Sequence, residues 1–226
     1  MKKKIIIIVV FVVIIAAGFS FYPYLERHYI TAHTDLEMKE NIGENDTLIV
    51  YFTRLDNMEK DESVDAVSGA SLMKDKNGEL MGNTQAIAMT IQSIVHGDTF
   101  SIVTDKVYSS SYNENTNQAK EELDKDEIPE LKTKINIDKY QTIYLVYPLW
   151  WNTIPQPVKA FLKSYDLSGK TLIPVASQGS RGFGDSKEDI QKNTKANVSQ
   201  NGISIYCSDA KDCYEEIKEW LDGNNQ

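Results

Sequence analysis

Three short stretches of this sequence hold the residues best suited to grip a small polar ligand. The first is split: Thr53 and Arg54 end an apolar run, and Gly82, Asn83, Thr84 and Gln85 open the helical pattern that comes next. Threonine hydroxyls can donate hydrogen bonds, and backbone N–H groups at a helix start point at an anion that the helix dipole favours. A phosphate could sit there without a lysine. The second stretch is Pro148, Leu149, Trp150, Trp151 and Asn152, followed by Thr153. Here proline shapes the turn, a tryptophan offers a broad apolar face on which a planar ring can stack, and Asn152 and Thr153 add polar edges. The third holds Ser177, Gln178, Gly179 and Gly182, a turn richer in hydroxyl and glycine residues than a plain connection needs.

Several other chemistries lack their residues. No GxGxxG follows the first strand pattern, and neither a Walker sequence nor a GxSxG nucleophile elbow occurs. His28, His33 and His96 have no carboxylate or cysteine at ligand spacing, which leaves a metal site without support. The net charge of -9 argues against a nucleic-acid partner, because phosphate binding needs a clustered positive face. Cys207 and Cys213 could pair, which would stabilise the fold by roughly 2 kcal/mol, or could stay as two free thiols.

The elements that must position these loops alternate along the chain. Continuous apolar or β-branched runs at 47–53, 100–103, 142–147, 171–176 and 201–206 read as five strands. Helical spacing marks 82–96, with Gly97 as its stop, and 115–126, ended before Pro129. A third helix starts at Pro155 and Pro157 and runs to about Ser164, where proline is tolerated in the first turn. Ser186 with Asp189 reads as a capping-box start, and a terminal helix begins near Ser208 with Cys213, Tyr214, Ile217, Trp220 and Leu221 on one face. Strands apolar on both faces, alternating with helices, predict a parallel sheet covered on both sides: a three-layer αβα domain of class α/β. In such open sheets ligands bind beyond the carboxyl ends of the strands, where the three stretches above lie.

With these residues in place, the chain from Thr47 to Leu221 resembles the flavodoxin-like family. TLIVYFTR resuming at GNTQAIA resembles the family's split phosphate loop, YPLWWNTIPQPVKAFLKSYDLSGK its segment flanking the flavin ring, and ASQGSRGFGDS its ring-edge loop. The resemblance implies a five-stranded sheet in order 2-1-3-4-5, non-covalent FMN, and cofactor contacts from Thr53, Arg54, Gly82, Asn83, Thr84, Gln85, Pro148, Leu149, Trp150, Trp151, Asn152, Ser177, Gln178, Gly179 and Gly182. It implies electron transfer with a redox partner protein or a quinone, or alternatively an NAD(P)H-dependent quinone or FMN reductase. The acidic stretch at 55–81 departs from the pattern, and reads either as a cover over the flavin or as a surface excursion.

Residues 1–25 differ in composition from all that follows. Lys2, Lys3 and Lys4 precede an unbroken apolar run from Ile5 to Ala17, which continues to Tyr22. This is either a cleaved signal peptide or a membrane anchor through residues 5–25, and the interfacial aromatics Tyr22 and Tyr24 favour the anchor. The lysines keep the N-terminus cytoplasmic and place the remainder outside the cell membrane, anchored there or secreted after cleavage. Residues 26–46 read as a polar tether, and 47–226 as the cofactor-binding domain.

Overall fold

The computed structural model describes residues 45–58, 72–74, 78–179 and 182–224. The N-terminal hydrophobic helix, nearly all of the tether and much of the 55–81 stretch lie outside these residues. Among the described residues no helix is long and apolar enough to cross a membrane.

The sheet is parallel throughout. β1 (Thr47–Tyr51) lies between β4 (Asp98–Ser101) and β5 (Thr142–Pro148), and β6 (Thr171–Gln178) follows β5. Beyond β6 run two short strands, β7 (Asn197–Val198) and β8 (Ile203–Tyr206). In chain order the five expected strands therefore lie 2-1-3-4-5, with the fifth position filled by two pieces. Pro174 explains the break. Lys170, Leu172 and Gln178 turn their carbonyls toward the β7/β8 edge, so Pro174 faces the same way and has no N–H to give. Pairing stops at Leu172 with Val198 and resumes at Val175 with Ile203. Gly202 bridges the gap because a Cβ there would lie 2.4 Å from the Pro174 carbonyl oxygen.

Alternation along the strands divides the core in two. Leu48, Val50, Phe52, Leu145 and Tyr147 face α2 (Tyr112–Lys125), α3 (Gln156–Ser164) and α4 (Ser186–Asn193), burying Ala119, Phe161 and Ile190. Ile49, Tyr51, Tyr144, Val146 and Val175 face α1 (Asn83–Val95) and α5 (Tyr214–Asn224), burying Ile87, Ile91, Ile217 and Leu221. Both faces of the sheet are covered, which is why its strands read as apolar runs without alternation.

Several boundaries differ from the sequence expectation. The second strand begins at Asp98 rather than residue 100, since polar Asp98 and Thr99 pair with Leu48 and Ile49. α1 is closed by His96 in the left-handed conformation (φ 56°), not by Gly97. Gly97 is required instead by close approach, since its Cβ would lie 2.6 Å from Ile49 Cδ1. α2 starts at Tyr112, three residues before the expected Asn115. The capping box at Ser186 is not formed: that hydroxyl donates to the Phe183 carbonyl, and Asp185 is the N-cap residue. α5 starts at Tyr214, after turns through Asp209 and Asp212, and leaves Tyr214 exposed. Both cysteines are free thiols. Where the 55–81 stretch is described, it forms a 3-10 turn (Arg54–Asn57) and an antiparallel pair, β2 (Leu72–Lys74) with β3 (Leu80–Gly82), whose second strand delivers Gly82 into α1.

Candidate functional site at the carboxyl edge of the sheet

The sequence-selected stretches all emerge at the carboxyl ends of β1, β5 and β6, the three adjacent central strands. Phe52 ties the first two together. Its N–H donates to the Val146 carbonyl at 3.0 Å, and its carbonyl accepts from the Thr84 hydroxyl at 2.6 Å. Thr53, on the α1 side, is 1% exposed and accepts from the Leu55 N–H at 3.2 Å. Gly82 rests on it: a Cβ at Gly82 would lie 2.0 Å from Thr53 Oγ1 and 2.8 Å from Thr53 Cβ. The missing side chain thus lets the start of α1 press against the end of β1. Gly82 N–H in turn donates to Gln85 Oε1 at 3.3 Å. The Thr84 hydroxyl and Gln85 amide oxygen are committed to shaping this loop, so the anion-holding donors it presents are the first-turn backbone amides of α1.

Arg54 points the other way. One residue along from Thr53, it falls on the α2 side with Val50 and Phe52, fully buried, and its Nη2 donates to the Ser110 carbonyl at 3.3 Å. Asn57, which sequence reasoning missed, fixes the same corner. Its Nδ2 donates to the carbonyls of Thr53 (3.0 Å) and Ile102 (2.9 Å), and its Oδ1 accepts from the Thr104 N–H at 2.9 Å. A lone asparagine in an acidic stretch carries no signal that would reveal this role.

The second loop is a tight turn. Trp150 and Thr153 exchange backbone hydrogen bonds of 3.1 Å across Trp151 (φ 51°) and Asn152 (φ 72°), the paired positive angles of a type I′ turn. The two tryptophans separate completely. Trp150 packs edge-on against Phe52 and Tyr108, with ring centroids 5.3 Å and 5.1 Å away, and belongs to the core rather than to a stacking face. Trp151 is 47% exposed, donates its indole N–H to the Thr116 carbonyl at 2.9 Å, and lies 5.7 Å from Lys120 Nζ. Left-handed backbone at a bulky residue is strained, and strain of this kind persists where surrounding contacts over-determine it. Those contacts are present. Asn152 Nδ2 donates to Asp185 Oδ2 at 2.7 Å, the Asp185 N–H returns to the Asn152 carbonyl at 2.8 Å, and the Thr153 hydroxyl bonds the Asp189 carboxylate. Gly184 (φ 49°) closes the clamp, where a Cβ would lie 2.4 Å from the Asn152 carbonyl oxygen.

The third loop joins the second through the Leu149 N–H, which donates to the Ser177 carbonyl at 2.9 Å. Gln178 accepts from the Cys207 N–H at 2.8 Å, Gly179 has open space beside its Cα among the described residues, and Gly182 uses the left-handed conformation (φ 60°). Ser177 is 1% exposed, and its hydroxyl has no hydrogen-bond partner among the described residues.

Beneath the turn lies a buried carboxyl that sequence reasoning also missed, since Glu122 sits in a run of charged residues. Tyr108 Oη donates to Glu122 Oε2 at 2.8 Å, and Gln118 Nε2 to Oε1 at 3.0 Å. Burial raises the Glu122 pKa above its ordinary 4.5, against the lowering effect of both hydrogen bonds. An acid with a raised folded pKa favours folding below its unfolded value and loses that contribution as pH rises through the folded value. Glu122→Gln, which keeps an acceptor for Tyr108, is therefore expected to raise the urea midpoint at pH 7 and to leave it unchanged at pH 4. An equal gain at both pH values would show that the carboxyl's ionisation is not the cause.

Among known proteins, no curated sequence matches the chain. Two solved structures assigned as flavoproteins are similar to it. That from Bacteroides eggerthii is 23% identical over 78% of this chain and 95% of its own, with a TM-score of 0.58. That from Bacteroides uniformis is 22% identical over 76% and 97%, with a TM-score of 0.54. A flavoprotein from Lactobacillus acidophilus, solved in complex with FMN, is 14% identical over 77% and 97%, with a TM-score of 0.49. The flavodoxin family profile matches residues 78–224, which include α1, the turn at Trp150–Thr153 and the loop after β6, and the chain belongs to the flavodoxin family.

Proposed function

We propose that this chain binds FMN non-covalently at the carboxyl edge of β1, β5 and β6 and works as an electron-transfer protein. The observation that carries the reading is the seat of Gly82 on Thr53, which brings the amides at the start of α1 against the end of β1 and forms a phosphate cradle without a cation. The residues present fit the cofactor. The backbone amides of Asn83, Thr84 and Gln85 would hold the phosphate, with Gly82 seating them against Thr53. Leu149, Trp151 and Asn152 on one side, with Gln178, Gly179 and Gly182 on the other, would flank the ring. When bound, FMN supplies the electron-carrying chemistry, and the protein supplies position and electrostatic surroundings. The clamp of Asn152, Gly184 and Asp185 keeps the ring-flanking turn preformed, which limits the ordering that binding must impose.

The net charge of -9 suits docking to a basic redox partner, and residues 5–25 suit a membrane anchor that holds the domain outside the cell membrane. Protease added outside sealed right-side-out membrane vesicles should then digest the domain, and full protection would refute that placement. A reductase using NAD(P)H and a quinone is the competing activity. The carrier reading predicts fast electron exchange with a basic carrier protein and no steady NAD(P)H oxidation when the FMN-loaded full chain is supplied with a quinone. Sustained turnover of NAD(P)H would make it an enzyme instead.

A further inference from the structure

We infer that Ser177 is a ribityl-binding residue, its hydroxyl directed at the sugar-alcohol chain of the flavin and not at the ring edge or the phosphate. This rests on the FMN reading above. Side-chain alternation fixes the direction. Ser177 is in register with Pro148 on one side and Ile205 on the other, and Ile205 and Val175 belong to the α1-facing core. Ser177 therefore faces the α1 layer, as Thr53 does two residues past Tyr51. Tyr51 pairs with Val146 and Val146 with Val175, so Thr53, Pro148 and Ser177 form one row along the carboxyl edge.

Spacing sorts the three parts of the ligand. Thr53 and Ser177 are two strand spacings apart, roughly 10 Å, which places Ser177 beyond hydrogen-bond reach of a phosphate seated at Thr53 and Gly82. A five-carbon chain spans about 6 Å, so its hydroxyls fall between the phosphate seat and the Ser177 position. The ring-flanking groups are instead the residues at and past the strand ends, from Leu149 and from Gln178 onward.

The second observation is the hydroxyl itself. It is buried, yet among the described residues it neither donates nor accepts a hydrogen bond. Neighbouring side-chain hydroxyls of the edge are used: Thr84 donates to Phe52, Thr53 accepts from Leu55, and Thr153 bonds Asp189. An unsatisfied buried hydroxyl destabilises a fold unless a partner arrives, and a polyol chain supplies both donors and acceptors. Among the described residues nothing lies within 4 Å of the position a Gly179 Cβ would take, which leaves room for that chain at the neighbouring position.

The test is a ligand series on the full chain with Ser177→Ala, read by flavin fluorescence and absorption. The ligands are FMN, riboflavin (ribityl without phosphate) and lumiflavin (ring alone). The expected result is a five- to tenfold loss of affinity for FMN and for riboflavin with lumiflavin unchanged. The apo variant should also unfold at the same or a higher temperature, since it loses an unpartnered buried hydroxyl. Loss for all three ligands would make Ser177 a ring contact, and loss for FMN alone a phosphate contact. Either outcome, or no loss at all, overturns the assignment. Failure of the parent chain to bind FMN at all would sink the cofactor reading first, a result distinct from each of these patterns.

Discussion

Gly82→Ala is expected to cut FMN affinity on the order of 100-fold. The backbone at Gly82 is ordinary for any residue (φ -75°), so the effect is purely steric. A Cβ 2.0 Å from Thr53 Oγ1 and 2.8 Å from Thr53 Cβ cannot be accommodated without moving the start of α1 off the end of β1. Overpacking of this kind costs about 1–3 kcal/mol, and at roughly 1.4 kcal/mol per tenfold its upper end corresponds to the predicted loss. Because both sides of the clash belong to the phosphate cradle, the displacement falls on the amides that hold the anion. Adding Thr53→Gly to the variant removes both clashing atoms and should recover part of the affinity. A Gly82→Ala protein that binds FMN as the parent does would show that the cradle is not where the phosphate sits.

The second large effect separates the adjacent tryptophans. Trp150→Ala should cost about 3–5 kcal/mol of stability, because it empties a core position packed edge-on by Phe52 and Tyr108. Trp151→Ala should cost less than about 1 kcal/mol, since the side chain is half exposed and held by one indole hydrogen bond and a surface cation contact. Its expected consequence lies in flavin spectroscopy and partner exchange. Urea unfolding of the two variants decides the matter, and equal losses would mean that Trp151 is part of the core.

That pair also shows where sequence reasoning stops. The strands were legible because β1, β5 and β6 are buried on both faces and so appear as uninterrupted apolar runs. The site was legible as a region, since GNT, PLWWN and SQG follow those strands and ligands bind at the carboxyl ends of such sheets. Which of two tryptophans faces solvent depends on a type I′ turn, and Trp-Asn is not a pair that announces one, the usual signal being Asn-Gly or Gly-Gly. The split of the fifth strand was hidden because Pro174 acts on its neighbour: the break appears in β7 and β8, some 25 residues downstream of its cause. The β2–β3 pair was missed because Leu72, Met73, Leu80 and Met81 are too few to form a period. Arg54 stands beside Thr53 among the contacts that the resemblance implies, and the structure turns its side chain to the other side of the sheet from Thr53, where it donates to the Ser110 carbonyl.

The most direct test of the cofactor claim is titration of the purified full chain, in detergent and stripped of ligand, with FMN while visible absorption and flavin fluorescence are recorded. The predicted result is saturable binding of one FMN per chain, with an altered absorption envelope that reverts to that of free FMN when the protein is denatured. A spectrum indistinguishable from free FMN at every ratio, from a chain that is demonstrably folded, would contradict the account.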